Sequence, residues 1–234
     1  MKRKLLLFLF IISFSAQAQN LEQTTLLSQA IGTNIKEYKE NSQKAYADKN
    51  YKRANSLFDS LVSHVINGST LDNFNMRKIS GRTLEFHDFD NPVFLMTYAS
   101  WCTPGVGEIP ALNEIARKHH KDIDFIVLYW DTKQNVKKIA RKYSRKIKIV
   151  YVDELAYTNN NIIETLKHTL GFPTSFFIDA NKKIVDVKRG ALHHYSEKYD
   201  TSFDLNYRYF LGGISLLKTL YKEDEGIVMH APTP

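Results

Sequence analysis

The sequence predicts an α/β sandwich, a mixed central sheet flanked by helices, preceded by a helical N-terminal extension. Three observations carry this. In the first part of the chain apolar residues recur at helical spacing, most clearly Ala54, Leu57, Phe58, Leu61, Val62 and Val65. From Phe74 onward, short apolar runs suited to strands alternate with stretches of helical period, the pattern of a sheet with helices on its faces. Near the C-terminus two strand-like runs are adjacent before one last helical stretch, so part of the sheet is antiparallel. With 234 residues, 43% of them hydrophobic and 24% charged, the chain can build one ordinary core, and a disordered or fibrous protein is excluded.

Each element has its own warrant. Lys2, Arg3 and Lys4, the apolar run Leu5 to Phe14 and Ala16-Gln17-Ala18 together read as a secretory signal peptide, residues 1–18, cut before Gln19. An uncleaved membrane anchor is the alternative, although the run is short for a bilayer. Residues 19–68 form the helical extension, broken at Asp48-Lys49-Asn50 and ending at Asn67-Gly68-Ser69. Phe74 to Lys78 and Thr83 to Phe86 read as strands around the turn Ser80-Gly81, and Val93 to Tyr98 as a central buried strand. A helix from Gly105 to His119, a strand from Phe125 to Trp130, a basic helix from Lys133 to Arg145 and a strand from Ile147 to Val152 follow. Asn161 with Glu164 predicts the cap of a helix running to Leu170. Ser175 to Ile178 and Ile184 to Val187 make the terminal strand pair, and Leu205 to Tyr221 the last helix. The main domain thus spans residues 71–222, with a tail at 223–234.

The formal charge of +7 includes three positive residues of the signal segment. Much of the remainder lies between Lys133 and Lys148, where Lys137, Arg141 and Arg145 give either a solvated helix face or a weak contact for an acidic partner or membrane surface. No nucleic-acid module, phosphate-cradling glycine loop or paired-carboxylate site accompanies it. His119-His120 and His193-His194 lack the spacing and partners of a metal site, so neither a metal nor a cofactor is expected.

Cys102 is the chain's one cysteine. An exported protein with a single thiol holds it as an inert core residue, an intermolecular partner or a reactive group. The thiol lies where a buried strand runs into a helix, and with Thr103 as N-cap and Pro104 at the first helical position the dipole would favour thiolate, below the ordinary value near 8.5. Pro110 would then kink that helix.

The stretch Trp101-Cys102-Thr103-Pro104-Gly105-Val106-Gly107-Glu108-Ile109-Pro110-Ala111-Leu112 resembles the W-C-x-P-C-x-x-E-x-P-x-L motif of exported thiol-disulfide oxidoreductases of the TlpA/ResA type, in the thioredoxin superfamily. Gly105 replaces the second cysteine. Gly171 to Asp179 is similar to the family's G-x-P-T-x-F-x-I-D segment, and Gly190 also fits. The resemblance implies a thioredoxin-like fold, a cis Phe172-Pro173 bond facing Cys102, and a substrate groove at Trp101, Thr103, Pro104, Phe172 and Pro173. Many thioredoxins carry a buried acid at the position of Met96, and Glu108 reads as a complement to the helix dipole.

Three functions fit these residues. One is a monothiol oxidoreductase in the periplasm or outside the cell, forming mixed disulfides through Cys102 with exported protein thiols or disulfides or with a low-molecular-weight thiol. The second is a binding or structural module without turnover. The third is a one-cysteine thiol peroxidase, against which stand Leu95 and Ala99 where a peroxiredoxin's P-x-x-x-T-x-x-C requires proline and threonine.

Overall fold

The computed structural model describes residues 25–99, 101–153, 165–166, 170–189 and 196–224. The signal segment, the helix expected after Asn161, Gly190, His193-His194 and the tail beyond residue 224 lie outside the described residues. Within them, α1 (Leu27–Ala47) and α2 (Tyr51–Leu61) precede β1 (Asn75–Lys78), β2 (Thr83–Glu85), β3 (Val93–Tyr98), α3 (Glu108–His119), β4 (Asp124–Trp130), α4 (Lys133–Ala140), β5 (Ile147–Val152), β6 (Thr174–Ile178), β7 (Ile184–Arg189) and α5 (Tyr199–Asp224).

One seven-stranded sheet has the order β2-β1-β5-β4-β3-β6-β7. Its centre, β5-β4-β3, is parallel, and the outer pairings are antiparallel. Alternation along the strands sorts the core into two faces, because successive side chains of a strand point to opposite sides. Phe94, Met96 and Tyr98 of β3 join Phe125, Val127 and Tyr129 of β4, Phe177 of β6, and the inner faces of α3 and α5. On the other face, Val93 and Leu95 join Ile126, Leu128, Trp130, Phe176, Ile178, Ile184 and Val187.

That second face is covered by the helical extension. Leu27, Ile31 and Tyr38 of α1, Phe58 and Leu61 of α2, and Val62 and Ile66 in the π-turn that continues α2 all belong to the same cluster. Backbone hydrogen bonds then fasten the segment to the sheet: Gly68 N–H to the Ile184 carbonyl at 2.8 Å, Ile184 N–H to Ser69 at 2.8 Å, and Leu71 N–H to Lys182 at 2.9 Å. Gly68 turns the chain there with φ +83°, a conformation that favours glycine. The break at Asp48 to Asn50 is real, with Lys49 at φ 53° and the Asn50 side chain accepting from Arg53 N–H at 3.0 Å to cap α2.

Helices α4 and α5 differ from their expected lengths. The basic helix stops at Ala140 instead of reaching Arg145. The reason is tertiary: Asn113 on α3 accepts from Ser144 N–H at 2.6 Å and donates to the Lys142 carbonyl at 2.9 Å, while Tyr143 is buried with its hydroxyl 2.9 Å from that of Tyr129. Lys137 is therefore on α4, whereas Arg141 and Arg145 are on the turn that follows, and the three exposed cations do not form one helix face. Conversely α5 begins at Tyr199, before the expected Leu205. No helix among the described residues is long and apolar enough to cross a membrane.

Candidate functional site around Cys102

Strand β3 delivers the chain to Ala99, and the Cys102 N–H bonds back to the Ala99 carbonyl at 3.0 Å, closing a tight turn at the strand's end. Cys102 is half-buried and packs on the α3/α5 face of the core. Trp101 points outward, 75% exposed, and meets Phe172 edge to face with ring centroids 6.3 Å apart. The Phe172-Pro173 bond is cis. Two loops distant in sequence thus meet through the Trp101–Phe172 contact, one residue before the thiol. Thr103 is exposed and Pro104 half-buried in the same turn. Val106 and Tyr199 add exposed apolar surface.

The start of the helix differs from the expectation. Thr103 is not an N-cap and Pro104 is not a helical residue; α3 opens at Glu108 with Gly107 as its cap. The cause is the close approach of α5: the Gly107 N–H donates to Ser202 Oγ at 2.9 Å, and a Cβ on Gly107 would stand 2.1 Å from the backbone nitrogen of Phe203. Contact at this distance admits glycine alone. Pro110 accordingly sits in the first turn, where proline forfeits no helical bond; the first i to i−4 bond is Ala111 N–H to Gly107 at 2.9 Å. The expected kink has no cause.

The electrostatics differ too. Burial pushes the Cys102 thiol above its ordinary value of 9.0, a backbone hydrogen bond with Ala99 acts the other way, and the Glu108 carboxylate adds a further push upward. The thiolate-favouring site read from the sequence is therefore reversed, since the helix begins five residues beyond Thr103 and brings an acid with it.

Glu108 is the residue whose role the sequence concealed. It is buried, and the Tyr98 hydroxyl donates to its carboxylate. Tyr98 and Tyr129 are register partners in β3 and β4 with rings 5.8 Å apart, and burial pushes the Tyr129 hydroxyl up to about 12. With Tyr143 they form a buried polar cluster next to the sulfur. Period-2 alternation along β3 and β4 was the available signal, because it places Tyr98 and Tyr129 on the Met96 face. Met96 itself is buried and apolar, so the acid of this site comes from α3. Among the described residues no group of three His, Cys, Asp or Glu could hold a metal.

Residues 68–187 match the model of the AhpC/TSA family. The chain belongs to that family. It is similar to thiol-disulfide oxidoreductase ResA of Bacillus thuringiensis, 31% identical over 126 residues that cover 53% of this chain and 69% of the relative. ResA of Geobacillus thermodenitrificans is 27% identical over 128 residues, 53% of this chain and 70% of the relative. Among solved structures, the thioredoxin domain of a thiol-disulfide oxidoreductase from Bacteroides vulgatus has a TM-score of 0.47 at 18% identity, covering 62% of this chain and 96% of that one. The protein is a TlpA/ResA-type member of the thioredoxin superfamily, and its sheet with helices on both faces is the thioredoxin-like fold expected from its motifs.

Proposed function

We propose that this AhpC/TSA-family protein is an exported monothiol exchange protein that captures disulfide substrates as a long-lived mixed disulfide on Cys102. The observation that carries this reading is a half-exposed thiol beside the Trp101–Phe172 contact, with no second cysteine in the chain to release what it binds.

In the forward step the Cys102 thiolate attacks one sulfur of a substrate disulfide. The new bond joins Cys102 Sγ to that sulfur, the substrate S–S bond breaks, and the other half leaves as a thiolate that takes up a proton. A dithiol site would now expel its substrate with the second cysteine. Gly105 has no sulfur, so release needs an outside thiol, which attacks the mixed disulfide and returns Cys102 to its reduced form. The raised thiol bears on both steps. It lowers the thiolate fraction and slows capture, and it makes Cys102 a poor leaving group, so the mixed disulfide resists attack that would expel it. Slow capture and slow release suit a carrier or trap better than a rapid reductase. The same raised thiol weighs against a peroxidase, because sulfenic acid formation follows thiolate character.

Trp101, Thr103, Pro104, Phe172 and Pro173 are the proposed contact surface for a substrate lying across the sulfur. Partners are exported protein thiols or disulfides or a low-molecular-weight thiol, in keeping with the names of the relatives. Export rests on the signal pattern of residues 1–18. An aromatic disulfide reagent tests the reading. The native protein should release one equivalent of chromophore per chain and remain disulfide-bonded to the other half until thiol is added, and Cys102→Ser should release none. A thiol that reacts only after denaturation would favour a binding module without exchange.

A further inference from the structure

The proposed exchange reaction leaves unexplained a cavity that the Phe172-Pro173 loop helps to line. It measures about 620 Å³ and lies between α2 and the end of β7, with walls that include Phe58, Asp59, Phe172, Pro173, Val187 and Arg189. This volume is within the range of small-molecule sites. One wall comes from the helical extension and another from the loop of the candidate site.

Arg189 dominates its chemistry. It is at the end of β7, opposite Thr174 in the β6–β7 register, and Thr174 directly follows Pro173. The guanidinium carbon sits 4.0 Å from the centre of the Phe58 ring, so one face is stacked, and one terminal nitrogen donates to the Tyr38 hydroxyl at 2.6 Å. The other terminal nitrogen is buried without a hydrogen-bond partner. A guanidinium is a planar fork that matches carboxylate in a bidentate fashion, and here the stacking and the Tyr38 bond already fix its plane. Arg189 lines the cavity, and a turn of the guanidinium across the Phe58 face, exchanging the Tyr38 bond, would bring the unpartnered nitrogen to an acceptor that a ligand supplies there. Asp59, exposed on the α2 wall, leaves a place for a ligand's ammonium group.

We propose that this cavity binds a small ligand of amino-acid or short-peptide type through its carboxylate at Arg189, the helical extension serving to build the site. That the ligand also carries the thiol or disulfide exchanged at Cys102 rests on the function proposed above; the carboxylate site itself does not.

The test separates the two. The full chain carrying Cys102→Ser is titrated calorimetrically with S-methylglutathione, a short peptide whose sulfur is blocked, and with its diethyl ester. The acid should bind at least tenfold more tightly than the ester, Arg189→Gln should abolish that preference, and Arg189→Lys should restore part of it. Since Arg189 also packs on Phe58, Asn55→Asp serves as a second variant: Asn55 lines the cavity on the exposed side of α2, and a carboxylate there should weaken binding of the acid and not that of the cationic ester. Equal affinity for acid and ester, absence of binding by both, or indifference to Asn55→Asp overturns the proposal. Discrimination of acid from ester in this variant, together with a native Cys102 that fails to react with the aromatic disulfide reagent, would sink the exchange reading alone.

Discussion

The Tyr98 hydroxyl, at the buried end of β3, donates a hydrogen bond to the Glu108 carboxylate, the first residue of α3. This bond spans the loop that carries Cys102, so strand, loop and helix are tied on the protein side of the sulfur. It also holds a negative charge in a place where burial already disfavours ionisation of the thiol.

Replacing Glu108 by Gln keeps an acceptor for Tyr98 and removes the charge. The Cys102 pKa should fall, and alkylation by iodoacetamide at fixed pH below the titration should speed up several-fold. An unchanged or slower rate would show that Glu108 does not act on the thiol. Tyr98→Phe removes a hydrogen bond to a buried acid and should destabilise the fold by about 1–3 kcal/mol in urea denaturation.

The pH dependence has a definite sign. A protonated thiol is unreactive, and Cys102 titrates above the ordinary 9.0, so at pH 7 less than about 1% of it is thiolate. The alkylation rate should rise about tenfold per pH unit up to about pH 8, keep rising beyond it, and level off above the value of an unstructured cysteine peptide measured alongside. Stability follows the same linkage. The folded state holds this proton more firmly, so its contribution is complete below pH 9 and is lost as pH rises through the folded-state pKa, a slope that Cys102→Ser should remove. A plateau at or below pH 8 would contradict the burial argument.

Most of the sheet could be read from the sequence because its strands are period-2 or fully apolar runs, and the cis Phe172-Pro173 bond could be expected because its motif is a local string. What stayed hidden was decided by contacts between distant segments. Gly107 reads as part of the helix expected from Gly105 until α5 lies against it. Glu108 reads as a helix-start acid until Tyr98 reaches it. The extension reads as an appendage because the apolar stripe of Phe58 and Leu61 does not say which surface it covers, and Arg189 reads as one more surface cation at the end of a strand.

Gly105→Cys restores the spacing of a dithiol pair. The variant should catalyse reduction of insulin by dithiothreitol, seen as earlier turbidity, while the native protein should not rise above the uncatalysed rate. The double variant with Cys102→Ser should be inactive, since the attacking thiol is gone. Inactivity of Gly105→Cys would mean that the raised Cys102 thiol, and not the missing partner, limits turnover, and combining it with Glu108→Gln should then recover activity.

Gly107→Ala probes how α5 sets the position of the loop. The added methyl would meet Phe203 backbone nitrogen at 2.1 Å, and backbone cannot swing aside as a flexible side chain does, so either α5 shifts or the cap of α3 opens. Overpacking of this kind costs about 1–3 kcal/mol, equivalent to a fall in Tm of roughly 2–12 °C for a chain of this size. Ser202→Ala takes the acceptor from the buried Gly107 N–H without adding bulk and should cost about 1–3 kcal/mol. A purely structural role would stop at stability. If contact with α5 is what keeps Cys102 half-buried, Gly107→Ala must also let water reach the sulfur, lower the thiol pKa and raise its alkylation rate at pH 7 while the protein is still folded. A variant that loses stability with its alkylation profile unchanged would separate the two and assign the burial of Cys102 to the β3 side of the loop.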